Sequence, residues 1–93
     1  MAYKPNPKDT SKIKVPAELK ELTERLAENT HEVWAKKKTE QGWQYGPESS
    51  DARKEHPDLV PYADLPEQIK DYDRNTAMET VKTIIALGYR VVK

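Results

Sequence analysis

The chain has 93 residues, of which 35% are hydrophobic and 34% charged, with 16 basic and 16 acidic side chains and no cysteine. That length holds one small domain with a thin core, and the charge balance excludes the broad positive field that drives nonspecific binding to nucleic acid or anionic membranes, so neither is expected as a partner. The lack of cysteine excludes disulfides, thiolate metal sites and a cysteine nucleophile.

The opening MAYKPNPKDTSKIKVP carries no apolar signal core. No stretch approaches the roughly 20 apolar residues that span a bilayer, so a cytoplasmic protein is expected. Pro5 and Pro7 disfavour helix, and residues 1–15 read as a flexible or extended lead-in to a domain over 16–93. From Pro16 the apolar side chains Leu19, Leu22, Leu26, Val33 and Trp34 recur at helical spacing, with Thr23 and Thr30 inside the stripe. The first helix is predicted to run from Pro16 to about Thr39 or Gln41 and to stop at Gly42.

Gly42 to Pro61 is a long connection with a charged middle, SSDARKEHPD. Connections of this length inside a compact domain are usually functional or mobile. Leu59, Val60 and Tyr62 read as extended around Pro61. Asp64 and Glu67 have capping-box spacing and predict a short helix through about Tyr72. A further helix is predicted from about Asn75 to Leu87, with Ala77, Val81, Ile84 and Gly88 in line and Met78, Ile85 and Leu87 widening the face. Gly88 is the expected stop, and Tyr89 to Val92 reads as a short strand-like tail. The fold class that buries both stripes is mainly α: two amphipathic helices packed together, with a short extra helix and short β elements.

Few residues pattern as chemistry. His31-Glu32-Val33-Trp34-Ala35 begins like H-E-x-x-H, but Ala35 stands where the second metal ligand belongs. His56, the other histidine, would need carboxylates to complete a shared site, so no metal is expected. His31 reads instead as a hydrogen-bonding side chain at the core edge, on a flank with Ala27, Trp34 and Lys38, and Asn29 reads as structural. Lys36, Lys37 and Lys38 form a solvated surface near the helix C-terminus, where positive charge is favourable. Neither a G-x-S-x-G elbow nor a phosphate-binding G-x-x-x-x-G-K-[ST] loop occurs, so no catalytic residue is expected.

The turn QGWQYGP, Gln41 to Pro47, is the feature that composition leaves open. Trp43 can fold back as a lid on the core while Tyr45 braces the loop. Alternatively, Trp43 can offer a flat face to a ligand ring beside Lys38, Arg53 and Lys54, which could hold a phosphate. Stacking of a base on an aromatic side chain contributes about 1–3 kcal/mol.

The stretch LAENTHEVWAKKKTEQGWQYGP, followed by HPDLVPYADLPEQIKDYDRNTAMETVKTIIALGYRV, resembles the ryanodine receptor repeat (RyR) domain. This module occurs as tandem pairs in the large calcium-release channels and also in bacterial and phage proteins. The matching landmarks are Leu26-Ala27-Glu28-Asn29, His31, Trp34, Gly42-Trp43, Tyr45-Gly46, Pro57, Leu59-Val60-Pro61-Tyr62, Leu65 and Gly88-Tyr89. The resemblance implies a mainly helical module with small β elements, no catalysis and no cofactor, and a single repeat suggests a stand-alone prokaryotic version. It further implies binding of an adenine nucleotide or ADP-ribose-like ligand, with Trp43 stacking on the base and Tyr45 beside it. Lys38, Arg53 and Lys54 join that set through proximity in sequence. The alternative it implies is a protein-interaction module like the peripheral channel repeats, with no ligand. A site shared between two repeats would then require a protein partner or self-association in place of the tandem pair. No Arg or Lys lies close upstream of Ser49 or Ser50, Glu48 is adjacent, and no phosphorylation site is carried over.

Overall fold

In the computed structural model, which describes residues 2–93, two long helices are joined by a connection tied down at several points. The elements are α1 (Glu18–Glu40), β1 (Gln44–Tyr45), β2 (Glu55–His56), a 3-10 turn (Tyr62–Asp64) and α2 (Glu67–Ala86). The chain is mainly α, with the two helices packed on each other as their apolar stripes require.

α1 lies within the span predicted for it, but its buried face is turned. Thr23, Ala27 and His31 are its buried residues, whereas Val33 is 46% exposed and Thr30 is exposed. At 100° per residue this face lies roughly a quarter turn from the leucine stripe. The shift is affordable to the fold because both polar members are satisfied internally. Thr23 Oγ1 donates to the Lys20 carbonyl at 2.6 Å, and His31 Nε2 to the Val60 carbonyl at 2.7 Å. Leu19, Leu22 and Leu26 remain half-buried at the edge.

The expected boundary between a short helix and a second one is absent. Residues 67–86 form one continuous α2, and Asp64 belongs to the 3-10 turn before it. Pro66 occupies the N-cap without a side-chain cap. Glu67 does not reach back as a capping box would require; its carboxylate runs forward to Arg74 at 3.0 Å and Lys70 at 3.4 Å. With no glycine or proline between Glu67 and Ala86, nothing interrupts the backbone ladder. Ala77 and Val81 are its buried residues, and Met78, Ile84 and Ile85 are half-buried. Leu87, expected on that face, is 60% exposed, and Tyr89 to Val92 forms no strand.

Tyr62, the first residue of the 3-10 turn, and Leu65, just after it, pack with Ala27 as the central cluster, flanked by Val60 and Ile69. The Tyr62 hydroxyl donates to Glu24 Oε1 at 3.1 Å. Glu24 also receives the Arg74 guanidinium at 2.7 and 3.2 Å, and Arg74 extends to Glu67 and to Asp71. This polar clamp joins α1, the turn and α2. The Arg74 hydrogen bonds, aided by that of Tyr62, hold the Glu24 carboxyl below the usual glutamate range against a smaller opposing effect of burial. Further along α2 the lead-in meets the helix: buried Thr10 donates from Oγ1 to Glu79 Oε2 at 2.6 Å.

Candidate functional site

Two of the chain's glycines end helices in the same way. Gly42 has φ +89°, in the left-handed region that glycine adopts without a Cβ clash. Its N–H donates to the Thr39 carbonyl at 3.0 Å, and the next N–H, that of Trp43, donates to the Lys38 carbonyl at 2.9 Å. This paired pattern is the Schellman motif, in which the residue after the glycine commonly packs against the residue five before it. Here that contact is between Trp43 and Lys38, whose ammonium lies 4.3 Å from the indole centroid.

The chain then enters β1, which pairs in parallel with β2 in the register Gln44 with Glu55 and Tyr45 with His56. Gln44 N–H donates to the Lys54 carbonyl at 2.9 Å and Gly46 N–H to the His56 carbonyl at 3.3 Å. Gly46 is required by proximity: a Cβ there would lie 2.5 Å from Glu55 Cβ. Between the strands, Ser50 and Glu55 exchange backbone hydrogen bonds at 2.9 and 3.0 Å and close a tight turn with Lys54 at φ +53°. The long connection is therefore held by backbone pairing.

His56 comes back toward α1 and completes a row of rings. Tyr62 and His31 have centroids 6.2 Å apart, His31 stacks on Trp34 at 5.6 Å, and Trp34 meets His56 edge-on at 5.0 Å. His56 in turn lies 6.5 Å from Trp43. His56 Nδ1 accepts the Asp58 N–H at 3.0 Å, which places the neutral ring's proton on Nε2. Trp34 touches both imidazoles, and each imidazole is committed to a backbone group. The sequence weighed His56 only as a metal ligand and Trp34 only as core. The signal for its structural role was Pro57, which favours an extended residue before it.

The five residues singled out from the sequence fare unequally. Lys38 and Trp43 are in contact, and Trp43 is half-buried. Tyr45 is 57% exposed. Lys54 reaches the same corner, but its Nζ donates to the Gln41 carbonyl at 2.9 Å, satisfying the end of α1. Arg53 is drawn to Glu55, with Nε 3.0 Å from Oε1. The corner thus brings together one indole and two lysines, with the exposed phenol of Tyr45 two residues further along the chain. A cleft of about 930 Å³ lies elsewhere, between the lead-in and α2, and includes none of the five.

Asp73, half-buried on α2, stands apart from these. Burial pushes its carboxyl above the usual aspartate range, with Asp58 adding to the effect and His31 opposing it.

Two packed helices, a two-residue strand pair and a ring row beneath a glycine-bounded turn define a small helical module. The RyR domain model matches residues 3–93, and the chain belongs to the RyR domain family. Among the described residues no helix is long and apolar enough to cross a membrane.

Proposed function

We propose that this RyR domain is a non-catalytic module that binds a small nucleotide-like ligand, of the adenine nucleotide or ADP-ribose class, at the Gly42 to Gly46 turn. The observation that carries this reading is the half-buried Trp43 with a lysine ammonium 4.3 Å from its ring centroid, next to an exposed Tyr45. A π-face beside a mobile cation suits a ligand that is flat at one end and anionic at the other. Affinity in this reading rests on stacking and charge.

Calorimetric titration of AMP and ADP-ribose into the wild type and Trp43→Ala tests this. Saturable binding is expected in the wild type, weakened roughly 5- to 150-fold by loss of the ring. Because Trp43 also packs on the helix end, Tyr45→Ala serves as a second variant that leaves that packing intact. Absence of saturable heat in the folded wild type would remove the proposal.

A protein-interaction role is the second reading, favoured by large side chains left in solvent: Tyr72 at 76%, Leu87 at 60%, Tyr89 at 68% and Val92 at 80% exposed. Capture of a defined partner, lost on Leu87→Ser with Tyr89→Ser and unaffected by nucleotide, would support it.

A further inference from the structure

The Lys38 ammonium lies over the Trp43 ring, on a π-face that attracts cations and on which a base would also stack. A cation and a base cannot hold one face together. The hydrogen bond from Trp43 N–H to the Lys38 carbonyl, 2.9 Å, fixes the two backbones relative to each other, and the half-buried indole is backed by His56 at 6.5 Å, so the flexible lysine side chain is the partner that yields.

The neighbouring cations are engaged otherwise. Lys54 Nζ is on the Gln41 carbonyl at 2.9 Å and Arg53 Nε is on Glu55 at 3.0 Å. Lys38 makes no ion pair among the described residues, so the ring itself is what holds its head group. Lysine is a compact charge on a four-carbon stem with free rotation, which lets it leave one partner for another without moving the helix.

We infer that Lys38 is a specificity gate: its ammonium covers the indole in the free protein and transfers to the phosphate of a ligand that carries one. This rests on the nucleotide reading above and adds a selection rule to it. An unphosphorylated nucleoside must displace the cation and offers it nothing. A phosphorylated one stacks on the same ring and gives the displaced ammonium a charge-assisted hydrogen bond. Discrimination therefore arises from what the ligand does for Lys38, with the base contact identical in both cases.

The test is calorimetric titration of adenosine and AMP into the wild type, Lys38→Ala and Lys38→Arg at low salt. The wild type is expected to favour AMP by about tenfold, the size of one charge-assisted contact. Lys38→Ala is expected to bind adenosine about 2- to 5-fold more tightly than the wild type, since the competing cation is gone, and to bring AMP within about twofold of adenosine. Lys38→Arg should restore the wild-type ranking. Alanine at a helical position preserves the backbone, and circular dichroism verifies that each variant is folded. An independent readout is the NMR position of the Lys38 side-chain methylenes, shifted by the indole ring current in the free protein and returning to an ordinary value on saturation with AMP.

An AMP preference unchanged in Lys38→Ala, or a ring-current shift that persists in the AMP complex because the base takes the opposite face, would overturn the gate and leave the nucleotide site standing. If neither compound binds any variant, the nucleotide reading fails and the gate fails with it.

Discussion

The ends of the two helices use one backbone device and put it to different use. After α2, Gly88 has φ +95°, its N–H donates to the Ile85 carbonyl at 3.0 Å and the Tyr89 N–H donates to the Ile84 carbonyl at 3.2 Å. After α1, Gly42 and Trp43 repeat the arrangement on Thr39 and Lys38. Both glycines are followed by an aromatic residue, yet Tyr89 is 68% exposed while Trp43 is half-buried against Lys38 and His56. The cap sets the direction in which the chain leaves the helix. What becomes of the next ring depends on whether later chain returns to meet it. β2 returns to the end of α1, and no strand follows α2.

Replacing the two rings tests that contrast most strongly. Trp43→Ala should destabilise by about 2 kcal/mol, the loss of a partly buried aromatic, whereas Tyr89→Ala should stay within about 0.5 kcal/mol. Equal losses in chemical denaturation would break the comparison. Substituting the glycines should instead make the ends look alike. Gly42→Ala and Gly88→Ala each force an L-residue into the left-handed region, at about 1–2 kcal/mol, and neither Cβ meets an atom closer than 3.9 Å. A much larger loss at Gly42 would mean that the β-pair, and not the cap, constrains that residue.

Away from the caps, the clamp and the half-buried acid predict opposite responses to pH. The Glu24 carboxyl is depressed by Arg74, so its contribution is complete above the usual glutamate range and fades as pH falls through the depressed value. Glu24→Gln should lower Tm by roughly 2–6 °C at pH 7, a modest figure because the pair is partly exposed, and the gap should narrow in acid. Asp73 has the reverse sign: burial raises its pKa, so its charged form opposes folding at neutral pH, and that penalty lifts as pH falls. Asp73→Asn should therefore raise Tm by roughly 1–3 °C at pH 7, with the gain disappearing in acid. A loss of stability at neutral pH would show that the carboxylate makes a favourable contact.

The caps were the most legible part of the fold. A glycine after an amphipathic run needs only local geometry, and Gly42 and Gly88 both fell where the pattern placed them. On α1 the sequence places Thr23 inside the stripe and His31 at its edge, and both are buried, but hydrophobicity centres the stripe on Leu19, Leu22, Leu26 and Val33, about a quarter turn away. Hydrogen bonds to Lys20 and Val60 are what permit Thr23 and His31 to be buried, and the Val60 partner lies 29 residues away. The continuity of α2 was hidden by DYDRN, a polar run whose helical support includes Arg74 bridging to α1. At the candidate site, the contact between Lys38 and Trp43 follows from the five-residue spacing of a Schellman cap. The arrival of His56 does not, since strands of two residues carry too little pattern to announce their pairing.

The hydrogen bond from Thr10 to Glu79 spans 69 positions of the chain. Once α1 and α2 have packed, the amino-terminal strap has little left to hold it: residues 2–9 are exposed and Thr10 is the one buried residue described before α1, whereas the helices and the 51–54 turn form locally. The strap is then the last piece to settle during folding and the first to lift during local opening. Amide exchange around Ser11 to Ile13 should accordingly run far ahead of exchange at Ala27 or Val81, and limited proteolysis should trim the strap while the helical pair survives.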